Sequence, residues 1–383
     1  MTFVVVGAGP AGVRVADRLA AAGQRVTLIG DEPGVPYDRV ALSRYLAQEV
    51  TAHDLRRPPA LGVRHLAGLR IATIDRAAHR LIASNGRRIS YETLVLATGA
   101  SAFRLPLPGA DLPHVKLYRT LAEVETMIGM ARTGGPAVVI GGGLLGLEAA
   151  VGLAARGMQV TVLHAADRLM ERQLDHPAAT RLQAHLAAQG ITVRTQANTQ
   201  AITPADVTLA DGTHVPARLV VIAVGIRPNA TLAAAAGLAV GRGIVVDDAM
   251  RTSDPAILAC GECAEHRGQC VGLVAPALAQ AEVAARTALG EAAAYAPSTE
   301  SAALKIAGAP VWSAGDLTAP DTDALVLDDP DGGYRRLLLR NDRLVAAVLY
   351  GATEDAPWYM RLIRDAHPLG ALREMLPFGP AFA

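Results

Sequence analysis

Two short glycine-rich segments, the second lying 134 residues after the first, constrain this chain more than any other feature. Each follows four apolar residues and has the spacing G-x-G-x-x-G. In that spacing the first glycine permits a tight turn, the second lets the backbone approach a pyrophosphate, and the third lets a helix pack closely on a strand. The sequence therefore predicts two dinucleotide-binding sites, which suggests electron transfer between two cofactors. The residues expected to bind them are Gly7, Gly9, Pro10, Ala11 and Gly12 in the first site, and Gly141, Gly143, Leu144, Leu145 and Gly146 in the second.

The residues around each fingerprint support this prediction, because the six-residue pattern alone is a weak signal. Each fingerprint opens an apolar helix, predicted at residues 10–22 and 144–156, which ends at a glycine in the position of a C-cap. A second strand follows each helix, at residues 25–29 and 159–163. The sequence thus predicts two Rossmann-like units, in which a diphosphate would lie on the unpaired N–H groups at the start of the helix. Two glycine-rich turns in an ordinary α/β sheet are the alternative.

The residues after the second strand of each unit distinguish the two sites. Asp31 and Glu32 follow the first unit, where a carboxylate can accept hydrogen bonds from the hydroxyls of an adenosine ribose. His164 stands at the matching position of the second unit, so the usual acid is absent and the choice between NADH and NADPH stays open. Arg168 is either a partner for a 2′-phosphate or a surface residue. Because no arginine directly follows the strand, NADH is favoured.

Composition bounds the class of protein. The chain of 383 residues is 51% hydrophobic and has no net formal charge, so it can bury cores in two or three domains. Balanced charge gives no reason to expect nucleic acid or an acidic membrane surface as a partner. The longest apolar stretch, residues 137–155, contains the second fingerprint and is predicted to be a buried strand and helix rather than a membrane span. The first predicted strand begins at Phe3 and leaves no room for a cleavable leader, which predicts a cytoplasmic protein.

The chain has three cysteines, Cys260, Cys263 and Cys270. A C-x-x-C pair in a cytosolic protein can be a redox dithiol or half of a metal site. The favoured interpretation is structural, because Cys260 ends a predicted strand at residues 256–259 and Cys263 follows a Gly-Glu pair expected at a cofactor. His266 is the only nearby candidate for a fourth ligand, so no metal site is predicted, and a redox disulfide stays an alternative.

Three further strands each lead to a glycine turn and complete a recognisable order of elements. They end at residues 97–99, 225 and 261–262, and the candidate site residues there are Ala97, Thr98, Gly99, Gly225, Gly261 and Glu262. In this order, residues 1–300 resemble the two-dinucleotide-binding-domain flavoproteins of the pyridine nucleotide-disulfide oxidoreductase superfamily. The resemblance implies an α/β protein with two Rossmann-like domains of the glutathione-reductase-like fold, which binds FAD and NADH, with NADPH as the alternative nucleotide.

These landmarks divide the chain into three predicted domains. An FAD-binding domain at residues 1–105 and 238–300 is interrupted by an NAD(P)H-binding domain at residues 106–237. A small α+β domain at residues 301–383 follows a linker-like stretch at residues 291–301. Its predicted strands span residues 324–327, 334–339 and 344–350, the last two joined by a turn at residues 340–343, and residues 357–376 have helical spacing.

Residues 36–44 narrow the resemblance. They read Pro-Tyr-Asp-Arg-Val-Ala-Leu-Ser-Arg and contain no cysteine pair, which disfavours the chemistry of disulfide reductases. They are similar to the P-Y-x-R-x-x-L-S-K element of ferredoxin and rubredoxin reductases, which implies FAD contacts at Asp31, Glu32, Arg39 and Arg44. Arg44 replaces the usual lysine and keeps its charge without its compact shape.

The same resemblance implies two roles for acidic residues. Glu148 matches a glutamate that pairs with the lysine of the L-S-K element beside the flavin in related reductases. An Arg44–Glu148 ion pair is therefore expected to be catalytic, and the alternative is a solvated Arg44 with Glu148 paired locally. Glu262 is expected to face the ribityl hydroxyls of FAD.

Two longer segments, residues 169–175 and 261–276, carry the narrowest resemblance. They are similar to the FAD/NAD module of assimilatory NAD(P)H nitrite reductase large subunits and of nitrate-assimilation electron-transfer subunits. This implies hydride transfer from NADH to FAD and a redox protein as acceptor, such as a nitrite or nitrate reductase subunit or a small iron protein. The alternatives are a rubredoxin or ferredoxin reductase and a nicotinamide-sensing flavoprotein of the apoptosis-inducing-factor type. The acceptor and the oligomeric state, a homodimer included, stay open.

Overall fold

The computed structural model describes residues 2–297, 301–304, 308–329 and 333–382. Two five-stranded parallel sheets and one five-stranded antiparallel sheet are its main elements. Helices alternate with the strands of both parallel sheets. This arrangement confirms the predicted α/β class with two Rossmann-like units and a further C-terminal unit.

The first sheet combines strands from two separated parts of the chain. Its order is Ile257–Ala259, Thr93–Leu96, Thr2–Val6, Arg25–Ile29 and Arg64–Leu66, all parallel. Four of the five residues of the central strand are apolar because both faces of the sheet are covered, and Val4 and Val5 have no exposed surface. Helices Pro10–Ala21 and Val274–Ala288 pack against each other and contribute to the same core. Strands from both sides of residues 106–237 thus share one sheet, while the domain boundaries themselves stay predictions.

The second sheet repeats this plan. Its order is Thr192–Arg194, Met158–Leu163, Gly135–Ile140, Leu219–Ile222 and Val115–Leu117, all parallel. Its helices are Leu121–Ala131, Leu144–Ala154 and His176–Ala188. The middle helix is apolar on nearly every side, which is typical of a buried helix. At Gly152 an added Cβ would lie 2.7 Å from Leu46 Cγ, so this glycine lets the short helix Leu42–Leu46 approach closely.

The two fingerprint helices begin at the predicted residues and end slightly earlier than predicted, at Ala21 and Ala154. Gly23 and Gly157 follow them with φ of +75° and +84°. These left-handed conformations are those that a C-cap glycine adopts, so the predicted helix ends are confirmed to within two residues.

Short elements complete the two units. Three-stranded antiparallel sheets comprise Ile71–Asp75, Arg80–Ala83 and Arg88–Ser90, and Thr199–Ile202, Asp206–Leu209 and His214–Pro216. The two-stranded pairs are Ala100–Ala102 with Ile226–Pro228, and Ile244–Val246 with Ala264–His266. The remaining helices of this part are the α-helix Thr231–Ala235 and the 3₁₀ turns Arg39–Ala41 and Gly261–Cys263. The first two-stranded pair joins the two chain segments that run between the parallel sheets.

The C-terminal sheet is antiparallel, in the order Ser301–Leu304, Val311–Gly315, Arg343–Tyr350, Gly333–Arg340 and Asp323–Asp329. The three predicted strands are confirmed. Asn341 and Asp342 form the predicted turn with φ of +50° and +57°, the left-handed pair that a tight hairpin requires. Part of the predicted linker, residues 298–300, lies outside the described residues.

The expected helical segment at residues 357–376 is interrupted. It contains helices Ala356–Asp365 and Leu372–Met375, followed by 3₁₀ turns Leu376–Phe378 and Pro380–Phe382. The interruption follows from Ala366, which has φ of +50°, and from Pro368, which has no N–H to donate to a preceding turn. Within the described ranges, no helix combines the length and apolarity needed to cross a bilayer.

Candidate functional site

A cavity of about 580 Å³ opens at the carboxyl ends of the strands of the first sheet. Open parallel sheets bind ligands at this edge. Residues directly after four of the strands line it, namely Gly7, Gly30, Ala97 and Cys260. The second fingerprint helix also contributes lining residues, namely Leu144, Leu145 and Glu148. One cavity therefore receives groups from both predicted nucleotide-binding units.

Most of the predicted site residues meet in this cavity. Those that line it are Gly7, Gly9, Pro10, Ala11, Asp31, Glu32, Arg39, Ala97, Thr98, Gly99, Leu144, Leu145, Glu148, Gly261 and Glu262. Those that lie outside its lining are Gly12, Arg44, Gly141, Gly143, Gly146, His164 and Gly225. The binding role of each residue stays a prediction.

The three glycines of the first fingerprint have different surroundings. Gly7 has φ of +113°, and an added Cβ would lie 2.0 Å from the carbonyl oxygen of Ala97. At Gly12 an added Cβ would lie 1.8 Å from the carbonyl oxygen of Gly7, so this glycine permits close packing of helix and strand. At Gly9 a Cβ would meet no atom within 4 Å. The space beside Gly9 is thus open, as a backbone that approaches a pyrophosphate requires.

The second fingerprint repeats this division of roles. Gly141 has φ of +120°, and a Cβ there would lie 2.4 Å from the carbonyl oxygen of Ala223. A Cβ on Gly146 would lie 2.0 Å from the carbonyl oxygen of Gly141, whereas a Cβ on Gly143 would meet nothing within 4 Å. Both fingerprints therefore have the backbone geometry of a phosphate-binding turn.

Glu32 lies in a compact cluster of polar side chains at the cavity. The Tyr37 hydroxyl donates a hydrogen bond of 2.6 Å to Glu32 Oε2, and the Arg39 guanidinium forms an ion pair with the same carboxylate. Arg39 Nη1 also donates to the Tyr37 hydroxyl over 2.9 Å. Burial, reinforced by the hydrogen bond to Glu32, raises the pKa of Tyr37, so it stays a neutral donor. The Asp31 side chain, by contrast, is exposed, and its Oδ2 lies 3.4 Å from Arg70 Nη2.

Arg119 lines the cavity and is not among the site residues predicted from the sequence. Its guanidinium forms an ion pair with Glu262, and the two side chains are 17% and 18% exposed. Arg119 Nε donates to the carbonyl oxygen of Ala100 over 3.2 Å, and its own carbonyl accepts from Arg39 Nη1 over 3.1 Å. The only sequence signal is a basic residue directly before the capping box of Thr120 and Glu123. Glu262 therefore lines the cavity with a cationic partner that its motif does not indicate, and its contact with FAD stays a prediction.

The expected ion pair between Arg44 and Glu148 is not formed. Arg44 Nε lies 3.1 Å from Glu49 Oε2, and the Arg44 side chain is 50% exposed. The reason is the short helix Leu42–Leu46, which buries Leu42, Ser43 and Leu46 and leaves Arg44 on its outer face. Glu148 does line the cavity, where its charge adds to the effect of burial in raising the pKa of Tyr118. The predicted ion pair is therefore wrong for this structure, while the catalytic roles of Arg44 and Glu148 stay predictions.

Two buried polar atoms on the cavity wall lack a hydrogen-bond partner among the described residues. They are the hydroxyl oxygen of Tyr118 and Nε2 of His65. Burial lowers the pKa of His65, which favours the neutral ring. Because buried polar atoms are normally hydrogen-bonded, both positions suit a ligand with polar edges.

The burial of the cysteine pair favours the structural interpretation over a redox disulfide. Cys260 and Cys263 are free thiols, and both are buried. Burial raises the pKa of each thiol, whereas redox-active cysteines usually have lowered values. The Cys263 thiol lies 3.5 Å from the carbonyl oxygen of Leu96 and helps to close the end of the first sheet.

His164 directly follows strand Met158–Leu163 of the second parallel sheet and lies outside the cavity lining. Its Nδ1 accepts a hydrogen bond of 3.1 Å from the N–H of Gly142, and its Nε2 lies 3.0 Å from Glu171 Oε2. Arg168 donates to the carbonyl oxygens of Leu174 and Glu171, each over 3.0 Å. The position of His164 at the strand end was predicted from the sequence, but its contact with the Glu171 carboxylate was not.

Comparison with known proteins identifies the family of this chain. Residues 1–288 match the family described as pyridine nucleotide-disulphide oxidoreductase. The chain belongs to this family. Residues 301–367 match a second family, described as the rubredoxin NAD+ reductase C-terminal domain. Membership confirms the predicted oxidoreductase class and the predicted use of FAD with a nicotinamide nucleotide.

Two individual relatives are similar to this chain over most of its length. The chain is 40% identical over 368 residues to nitrite reductase [NAD(P)H] of Bacillus subtilis (strain 168), covering 92% of this chain and 46% of the relative. It is 39% identical over 368 residues to the assimilatory nitrate reductase electron transfer subunit of the same organism, covering 92% of this chain and 48% of the relative. The chain thus spans about half the length of these curated relatives.

A solved structure supports the fold. The reductase in a covalent putidaredoxin reductase–putidaredoxin complex is similar with a TM-score of 0.87 and 30% sequence identity. The similarity covers 96% of this chain and 94% of that chain. The glutathione-reductase-like fold predicted from the sequence is therefore confirmed.

Proposed function

We propose that this chain oxidises NADH, reduces a bound FAD and passes the electrons to a redox protein of nitrite or nitrate assimilation. One observation carries the proposal, namely the cavity that is lined by Gly9 of the first fingerprint and by Leu144, Leu145 and Glu148 of the second. A flavin in this cavity would lie within reach of a nicotinamide bound at the second fingerprint. Bound FAD supplies the hydride and electron chemistry, and the protein supplies position and charge.

The residues present in the cavity fit FAD. The open space beside Gly9 and the start of helix Pro10–Ala21 suit its pyrophosphate. The Glu32 carboxylate can accept hydrogen bonds from ribose hydroxyls in addition to its contacts with Tyr37 and Arg39. The unpartnered atoms of Tyr118 and His65 suit polar groups of the same molecule. None of these side chains needs to be chemically reactive.

The acceptor is proposed from the relatives. The match to a nitrite reductase and to a nitrate reductase electron transfer subunit covers 92% of this chain in both cases, so the whole FAD and nicotinamide module is shared. A redox protein of the same process is therefore the proposed partner. We further propose that the protein is cytoplasmic, since NADH is available there. We also propose that it forms a homodimer, which light scattering of the purified protein would test.

The proposal is tested by spectroscopy and turnover. The purified protein is expected to be yellow, and anaerobic addition of NADH should bleach its flavin absorbance faster than addition of NADPH. Multiple turnover with purified nitrite and nitrate reductases should then identify the acceptor. A colourless protein that takes up no FAD on reconstitution would contradict the proposal.

A rubredoxin or ferredoxin reductase is the second candidate. The match of residues 301–367 to a rubredoxin reductase domain and the structural similarity to putidaredoxin reductase favour it. A comparison of kcat/KM for rubredoxin, a ferredoxin and the nitrite reductase as acceptors would distinguish the two candidates.

A further inference from the structure

We infer that Glu171, held in place by His164, supplies the carboxylate that binds the adenosine ribose of NADH and that this carboxylate selects NADH over NADPH. The inference rests on the proposed function, because it assigns the nucleotide specificity of the same reaction. It concerns the end of strand Met158–Leu163, where the second unit has His164 in place of the usual acid.

The hydrogen bonds of His164 define the arrangement. The N–H of Gly142 donates to Nδ1 over 3.1 Å, so Nδ1 has no proton. The proton of the neutral ring is then on Nε2, which donates to Glu171 Oε2 over 3.0 Å. The histidine thereby brings a carboxylate to the strand end from a position seven residues further along the chain. The Glu171 side chain is 39% exposed, so it stays accessible to a ligand.

The loop that carries Glu171 is fixed to the fingerprint itself. The N–H of Met170 donates to the carbonyl oxygen of Gly142 over 3.0 Å. Arg168 donates through Nη2 to the carbonyl oxygen of Glu171 over 3.0 Å. Leu169 is 1% exposed and anchors the loop in the core. The position of the carboxylate is therefore set before any nucleotide binds.

Gly142 explains why the histidine can lie so close to the fingerprint. An added Cβ at this position would lie 2.8 Å from His164 Cγ and 2.7 Å from Leu169 Cδ2. The phosphate-binding pattern requires glycine at positions 141, 143 and 146 but not at 142. Its presence there accommodates the ring of His164 and the loop that leads to Glu171.

The same arrangement disfavours a 2′-phosphate. A phosphate monoester would place a second anion beside the Glu171 carboxylate, and like charges repel. Arg168, the candidate partner for such a phosphate, donates to Leu174, Glu171 and Asp167 through three of its nitrogen atoms. Its guanidinium serves to hold the loop.

The test measures binding without turnover. ADP-ribose and 2′-phospho-ADP-ribose carry the adenosine ends of NADH and NADPH, and isothermal titration of the FAD-loaded protein gives their Kd values. The variant Glu171→Gln should weaken ADP-ribose binding about tenfold and leave the 2′-phosphorylated ligand unchanged or tighter. Glu125→Gln is the matched control, because Glu125 is an exposed carboxylate of helix Leu121–Ala131, away from the Glu171 loop, and undergoes the same chemical change. It should leave the ratio of the two Kd values unchanged.

The outcomes separate this inference from the proposed function. If Glu171→Gln keeps the wild-type Kd ratio, or if Glu125→Gln changes the ratio equally, Glu171 is not the ribose ligand even though NADH still reduces the flavin. If the wild-type protein binds neither ligand and NADH does not bleach the flavin, the proposed function fails as well. A partial recovery of ADP-ribose affinity in Glu171→Asp would show that the carboxylate itself is required. Flavin content and thermal unfolding of each variant exclude general loss of structure.

Discussion

A methyl group added at Gly9 and one added at Gly12 should have opposite consequences, although the two positions are three residues apart. A Cβ on Gly9 would meet no atom within 4 Å, whereas a Cβ on Gly12 would lie 1.8 Å from the carbonyl oxygen of Gly7. The first methyl enters space that we assign to the cofactor. The second enters the backbone of the protein.

The expected sizes follow from these distances. In Gly12→Ala the clash is at roughly half the ordinary contact distance of about 3.5 Å, and a backbone oxygen cannot move aside. Overpacking of this kind costs about 3 kcal/mol, and the better helix propensity of alanine returns about 1 kcal/mol. The net loss of about 2 kcal/mol corresponds to a fall in Tm of about 4–8 °C.

Gly9→Ala should leave the FAD-free protein nearly unchanged. Gly9 has φ of −78°, which alanine adopts without strain. The poorer N-cap residue and the smaller entropy of the unfolded chain nearly offset each other, so the stability should change by less than about 1 kcal/mol. The methyl group should instead raise the Kd for FAD by about tenfold or more, because it holds the pyrophosphate away from the backbone N–H groups.

The assay measures both quantities on the same samples. Thermal unfolding of FAD-free protein gives the Tm, and fluorescence titration with FAD gives the Kd. Gly143→Ala and Gly146→Ala, at the second fingerprint, should repeat the contrast with NADH binding in place of FAD binding, since their surroundings match. The reasoning is refuted if Gly9→Ala binds FAD like the wild type, or if Gly12→Ala melts at the wild-type temperature.

Three further predictions concern other charged and sulfur groups. Arg119→Met removes the partner of the largely buried Glu262 carboxylate. We expect the free energy of unfolding, measured by urea denaturation, to fall by about 3 kcal/mol. An unchanged value would show that the two charges are not coupled. Cys263→Ala should retain full NADH-dependent turnover, and a drop to background would instead support a redox disulfide. Hydrogen bonds from Arg267 hold the pKa of Asp248 at about 2, below its ordinary value of 3.8. This stabilisation is therefore complete above about pH 4 and is lost as the pH falls towards 2. The stability difference between wild type and Asp248→Asn should therefore shrink over that range in acid denaturation.

Much of the fold could be predicted from the sequence because its signals are local. An apolar run, a glycine turn and an alanine-rich helix occur within about 25 consecutive residues in each unit, and their order fixes a parallel sheet. The hairpin at Asn341 and Asp342 has an equally local cause in two residues that tolerate positive φ. The interruption near Ala366 was missed because helical spacing continues on both sides of it.

The polar contacts of the site could not be predicted in the same way. Arg119 and Glu262 are 143 residues apart in sequence, and only the packing of the two units brings them together. Arg44 was expected at the cofactor because of its motif, but the orientation of a five-residue helix gives it Glu49 as its partner. The position of the Glu171 carboxylate depends on the tautomer of His164, which no sequence pattern specifies. Motifs thus identified where the site lies, and the tertiary structure determined which charges face each other.

The discontinuous first sheet has a consequence for biosynthesis. Strand Ile257–Ala259 pairs with Thr93–Leu96, and the N–H of Cys260 donates to the carbonyl oxygen of Leu96 over 3.0 Å. A ribosome must therefore translate the whole segment that carries the second parallel sheet before the wall of the cavity can be completed. This segment, which is continuous in sequence, can fold while the nascent chain still lacks that wall. If FAD binds in this cavity as proposed, it binds late in synthesis, and ribosome-stalled chains that end before strand Ile257–Ala259 should contain no flavin.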